Sequence, residues 1–173
     1  MPMATLQYFR SQVVSEADFA RNYEWDVIFL NPPVQYAGGD TREVSVRCES
    51  VIIPGQNIET SGDNIRIGPI RDHAFGVNYG SINCVFLASQ DLAEKTFFED
   101  WQREIFSNDF KMKYYDDYVA DIMITQYNKD GKGYRVKVFD AFPKTVNQVD
   151  LNQTPGEFLR VSVELEYHHW RVQ

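Results

Sequence analysis

The closing stretch Phe158-Leu-Arg-Val-Ser-Val-Glu-Leu-Glu-Tyr-His-His-Trp170 constrains the fold more than any other part of the chain. Leu159, Val161, Val163, Leu165 and Tyr167 alternate there with Arg160, Ser162, Glu164, Glu166 and His168. Strand side chains project to opposite sides with a period of two, so this segment reads as a strand with one face on a core and one in water. Such a strand belongs to an antiparallel sheet, because parallel strands are covered on both faces and read as continuous apolar runs. The same alternation holds for Ala120, Ile122 and Ile124 against Asp121, Met123 and Thr125. Asn128-Lys-Asp-Gly131-Lys then supplies a turn suited to positive φ, which predicts a hairpin into a second long strand from Tyr134 to the aromatic-Pro link at Phe142-Pro143. These expected strands cover 119–127, 133–142 and 158–168.

Upstream, the aromatic and β-branched run Tyr23–Leu30 predicts a strand, ended by Asn31-Pro32-Pro33 because proline cannot extend a ladder. Polar residues from Gln35 to Thr41 predict an exposed connection. Val44, Val46 and Cys48, alternating with Ser45, Arg47 and Glu49, predict a strand over Glu43–Ile53, stopped by Pro54-Gly55. From Gln56 to Asn78, Gly62, Gly68, Pro69 and Gly76 break the chain into short pieces. A long hairpin-like excursion is expected, with Ile65, Ile67, Ile70 and Phe75 seeking burial. Tyr79–Leu87 is again strand-like.

Two helices complete the pattern. Leu6, Phe9, Val13, Ala17 and Ala20 fall at helical spacing over Thr5–Arg21. Ser89 opens the other as a cap, Asp91 and Glu94 suit its first turns, and Leu92, Phe98, Trp101 and Ile105 form one stripe as far as Ser107-Asn108. Lys111–Asp117 reads as a charged, tyrosine-rich loop. The fold expected is mainly β (α+β): an antiparallel β-sandwich or barrel with a flanking helix and an N-terminal helix, in a single domain over 1–173.

Composition narrows the function. With 43% hydrophobic and 24% charged residues the chain matches an ordinary globular domain, while 14% aromatics imply large buried faces or subunit contacts. A net charge of −8 argues against wrapping nucleic acid, which needs a clustered Lys/Arg footprint. Met1–Arg10 lacks the basic leader and apolar run of a secretory signal, and no stretch has the apolar length of a membrane span, so neither targeting nor a membrane partner is expected. Cys48 and Cys84 sit in strand-like runs; two buried thiols are expected, with a disulfide as the alternative if the strands are neighbours.

No catalytic, cofactor or metal site is expected. His73 lies in the excursion, and His168 and His169, adjacent on a strand, should point to opposite faces. Neither Cys-x-x-Cys, His-Glu-x-x-His nor a phosphate-cradling glycine loop occurs. Asn128-Lys-Asp-Gly-Lys lacks the spaced carboxylates of a calcium loop. Asp116-Asp117 reads as a solvated pair.

Several segments, in order, resemble the tail tube proteins of T4-like contractile phages, within the wider tube superfamily that includes secretion-system tubes. They are Asp18-Phe-Ala-Arg21 with Trp25-Asp-Val-Ile-Phe29, Cys48-Glu-Ser-Val-Ile-Ile-Pro54, Ile82–Leu87 with Phe98-Glu-Asp-Trp-Gln102, Gln126–Asp130, Ala141-Phe-Pro-Lys-Thr-Val146 and Val161–Trp170. Pro32–Asp40 and Tyr114–Tyr118 match nothing in that pattern.

The resemblance implies a structural, non-enzymatic, cofactor-free subunit of a virion tail. Six copies would form a ring whose sheets merge into a β-barrel, and rings would stack into a hollow tube inside a contractile sheath. Implied partners are the protein itself, the tail sheath protein, a tape measure protein in the lumen, a baseplate tube initiator and a tail terminator, with assembly in the host cytoplasm. DNA would pass through without specific binding. If the polar strand faces line the bore, Glu164 and Glu166 stand in it, and Arg135, Lys137 and Arg160 are candidates for the same face. Ile65, Ile67, Ile70 and Phe75 are the candidate ring-to-ring contact. The alternatives are a baseplate tube initiator, a non-phage injection machine and, in a different class, a monomeric ligand-binding β-barrel.

Overall fold

The computed structural model describes residues 23–37, 39–63, 68–106, 111–128, 133–151 and 158–173. The helix expected over 5–21, Ile65, Ile67 and the turn residues 129–132 lie outside them. In chain order the elements are β1 (Trp25–Leu30), α1 (Thr41–Val46), β2 (Cys48–Val51), β3 (Asn57–Gly62), β4 (Asp72–Asn78), β5 (Ile82–Leu87) and α2 (Ala93–Ile105). There follow α3 (Tyr115–Tyr118), β6 (Ala120–Gln126), β7 (Tyr134–Val146), β8 (Arg160–Glu166) and β9 (His169–Val172).

Among the described residues, seven strands pair in one antiparallel succession, β1-β6-β7-β8-β5-β2, with β9 beside β7, and β3 and β4 pair only with each other. The succession does not close into a barrel within one subunit, which leaves the single-subunit ligand-barrel reading without its barrel.

Strand β7 joins the two halves. Residues 134–141 pair with β6, and residues 142–146 pair with β8. On the side of β7 away from β6, one register links Phe139 to His169 and Phe142 to Glu166, so β8 and β9 run along β7 as one strand interrupted at Tyr167-His168. Opposite that interruption β7 carries an extra residue relative to β6, and Asp140 stands there at φ 55°. An extra residue bends a strand and sharpens its twist, and Asp tolerates the left-handed region better than most residues. Both long strands therefore turn at one corner, the device by which a strand passes from one sheet to the next.

The apolar faces converge on one core: Val27 and Phe29, Ile82, Cys84 and Phe86, Ile122 and Ile124, Val136 and Val138, then Val161, Val163 and Leu165. Helix α2 adds Phe97, Phe98 and Trp101, whose rings lie 5.1–6.5 Å from one another and meet Phe29 at 5.8–6.5 Å. Aromatic pairs at such separations add to what their burial alone contributes. Trp101 donates its indole N–H to the Tyr118 carbonyl at 2.6 Å. Gln102 donates to the carbonyls of Pro143 and Lys144 at 3.3 and 3.1 Å. The Phe-x-x-Trp-Gln spacing thus presents two rings to the core and an amide to the far end of β7.

Three expectations need correction. Residues 41–46 are helical, with the Asp40 carboxylate accepting the Arg42 amide N–H at 3.0 Å; Val44 is buried but Val46 is 84% exposed, so the alternation read there is not a strand face. The strand that follows is only Cys48–Val51. Strand β7 does not end in a link at Pro143: it continues to Val146 with Pro143 facing Leu165, while α3 occupies part of the expected loop. The Ser89 hydroxyl does accept the Ala93 amide at 3.0 Å, although the helix proper begins at Ala93.

Candidate assembly surfaces

Hairpin β3–β4 realises the excursion expected over 56–78, and nearly all of its residues are exposed. Ile58 lies opposite Val77, and a register shift between Glu59 and Thr60 makes Phe75 an extra residue on β4. Phe75 is 68% exposed, Ile70 66% and Ile58 60%; Ile52 and Ile53 are also exposed just before the hairpin. An isolated two-stranded hairpin is marginally stable in water, and a cluster of exposed apolar side chains marks an interaction surface. Its base is secured: Trp170 donates its indole N–H to the Gly55 carbonyl at 3.2 Å, and the rings of Tyr79 and Tyr167 lie 6.0 Å apart.

Of the four apolar residues singled out in the sequence, Ile70 and Phe75 are exposed, and Ile65 and Ile67 lie outside the described residues. Ile58 and Val77 were missed. Their signal is their position: they flank the glycine-punctuated stretch on either side, as cross-strand partners do.

A second surface is the polar face of β8 with its neighbours. Glu164 accepts a hydrogen bond from the Ser81 hydroxyl at 2.6 Å, and the Ser162 hydroxyl donates to the side-chain Oδ1 of Asn83 at 2.9 Å. Arg160 grips both oxygens of Glu49, through Nε at 2.6 Å and a terminal nitrogen at 3.0 Å. Lys144 Nζ lies 3.0 Å from Glu166 and 3.8 Å from Glu164. The Ser81 hydroxyl, and after it Lys144, holds the Glu164 carboxyl below its ordinary value; the hydrogen bonds from Arg160 do the same for Glu49. Glu166 in turn raises the Lys144 ammonium. Lys144 and Arg160 thus stand against the three carboxylates of Glu49, Glu164 and Glu166. Arg160 lies on this face of β8, whereas Lys137 is committed to Asp121 at 2.8 Å, and Lys144, unremarked in the sequence, is the principal counter-charge.

One carboxylate is turned inward. Glu94, fully buried, accepts from the Ser89 amide at 2.8 Å, the Ser89 hydroxyl at 3.0 Å and the Tyr36 hydroxyl at 3.0 Å, and lies 3.1 Å from an Arg47 guanidinium nitrogen. It joins the start of α2 to the end of α1 and to the segment after β1. Burial raises this carboxyl, but the Ser89 amide, the Ser89 hydroxyl and the Tyr36 hydroxyl together outweigh burial and leave it below its ordinary value.

The two closing histidines do not point apart. His168 Nδ1 and His169 Nδ1 are 3.1 Å apart with their rings edge to face, because the strand is interrupted between β8 and β9 and simple alternation fails there. The cysteines are free, on the neighbouring strands β2 and β5. Among the described residues no helix is long and apolar enough to cross a membrane.

A sequence profile for a family described as phage tail tube protein matches residues 19–173. Among solved structures, the chain resembles a chain of the sheath–tube complex of an extracellular contractile injection system, PVC, in its extended state, with a TM-score of 0.66 and 17% identity over 94% of this chain and 96% of that one. A chain of the sheath/tube terminator structure of the same system gives a TM-score of 0.68 at 16% identity, covering 92% and 99%. A chain from the tube-terminating cap of the anti-feeding prophage gives 0.65 at 17% identity, covering 93% and 98%. No curated protein matches by sequence.

Proposed function

The chain belongs to the phage tail tube protein family, and from its role as a structural tube subunit we propose a specific assembly: six copies close into a ring, and rings stack through the β3–β4 hairpin into a hollow tube. The observation that carries this reading is the hairpin, which extends apolar side chains while, among the described residues, pairing only with itself. Burial of Ile58, Ile70, Phe75 and Val77 against the next ring offsets the cost of ordering an element that its own domain does not cover.

Ring closure needs head-to-tail contacts between identical subunits, whereas stacked contacts that do not close generate a filament. For the sheets to merge into an inner barrel, neighbouring subunits must join at open strand edges; β2 is such an edge of the sheet that carries the polar face, and its pairing with a neighbour would also protect it from aggregation. In this arrangement the polar face carrying Glu164, Glu166 and Glu49 lines the bore. Lys144 and Arg160 make that bore weakly charged, a surface over which DNA or a protein filler slides without adhering.

The structural neighbours come from a sheath–tube complex and from tube terminators or caps, which supports a contractile sheath outside the tube and a terminator at its end. A tape measure in the lumen, an initiator at the baseplate and a place in the virion tail complete the proposal. Because two of these neighbours come from an extracellular contractile injection system, a tube of that kind is the second reading. The test is sedimentation velocity on the double variant Ile70→Ser, Phe75→Asp. The expected result is a folded subunit that no longer stacks; tubes as long as those of the unaltered chain would overturn the hairpin's role.

A further inference from the structure

We propose that Asp140, His168 and His169 form a binding site for a divalent transition metal of the zinc, nickel or copper type. The three residues each offer one ligand atom, and these atoms lie within 4.8 Å of one another. Nδ1 of His168 is 3.1 Å from Nδ1 of His169 and 3.6 Å from an Asp140 carboxylate oxygen. A zinc ion bound at about 2.0–2.1 Å by tetrahedral ligands separates those ligands by about 3.3 Å. The two spacings from His168 lie on either side of that value, and the third pair, Asp140 and His169, lies within 4.8 Å, so side-chain rotation rather than a backbone shift would complete the site.

The corner of the fold builds this arrangement. The shared register sets Asp140 opposite His168 and Phe139 opposite His169, and the His168 amide donates to the Phe139 carbonyl at 3.1 Å. The His169 ring lies flat on Phe139, with centroids 4.5 Å apart and planes 6° from parallel, which fixes the plane of the imidazole. Asp140 owes its place to the bulge and its positive φ. Two facing imidazole nitrogens repel unless a proton or a metal ion lies between them. A carboxylate beside them favours the ion, and two imidazoles with one carboxylate suit zinc, nickel and copper better than magnesium or calcium. The bound metal would clamp the bent β7 against the interruption between β8 and β9, leaving at least one coordination position for water or a neighbouring group.

The test is calorimetric titration of the untagged full chain with ZnCl2 and NiCl2 in a non-chelating buffer, with the visible spectrum of bound Co2+ as a second readout. One saturable equivalent is expected. His168→Ala, which alters a largely exposed side chain, should weaken it at least about tenfold, and His169→Ala and Asp140→Asn should do likewise. His73→Ala and Cys48→Ser should leave it unchanged. Absence of saturable binding, or binding that follows His73 or Cys48 instead, would overturn the site and leave the histidines sharing a proton. Since the ring assembly does not enter this readout, the metal site and the tube can fail independently.

Discussion

Glu94 concentrates several of the fold's polar requirements in one side chain. Removing one partner from a buried, paired charge leaves the rest uncompensated, so Glu94→Ala should cost about 3 kcal/mol in chemical denaturation. Glu94→Gln, which keeps the shape and one acceptor, should cost less. The folded-state carboxyl sits below its ordinary value of 4.5, so its stabilisation is complete above that pH and disappears as pH falls through the lower folded value. Between about pH 5 and 3 the unaltered protein should therefore lose more Tm than Glu94→Gln does; parallel losses would contradict the assignment. Cys84 makes a second test at this scale. Its hydrogen bond with Cys48 and its burial push the thiol well above its ordinary value, so a thiol reagent near neutral pH should modify Cys84 only after denaturation, while half-buried Cys48 reacts sooner.

At the scale of elements, strand faces and the main helix were legible, because each is a period that a core enforces. Val161, Val163, Leu165 and Tyr167 are all buried, as are Phe98, Trp101 and Ile105. The hairpin was legible for the opposite reason, being apolar residues amid glycines with no period to bury them. What escaped was set by contacts distant in sequence. The Asp40 cap turned Val44–Val46 into helix, Gln102 supports β7 beyond Pro143, and the bulge at Asp140 opposite the break after β8 brought two adjacent histidines together. Lys144 could be recognised as the partner of Glu164 and Glu166 only once β7 and β8 were paired. The β6–β7 hairpin offers a prediction of its own. A Cβ at Gly133 would overlap the Gln126 carbonyl, so Gly133→Ala should force the strands apart and lower Tm by several degrees, whereas Gly80→Ala, where nothing lies within 4 Å, should not.

At the scale of the whole molecule, the subunit has two kinds of unfinished surface: an apolar hairpin, and the ends of a strand succession that does not close on itself. A free-standing protein would expose both to aggregation, whereas a stacked ring uses both. The net charge of −8 per subunit repels neighbours at long range, so apolar burial must dominate at contact. Negative-stain microscopy of the purified full chain across a concentration series tests this most directly. Hollow rings at low concentration and stacked tubes at high concentration are the predicted result; a monomer that persists at every concentration would contradict it.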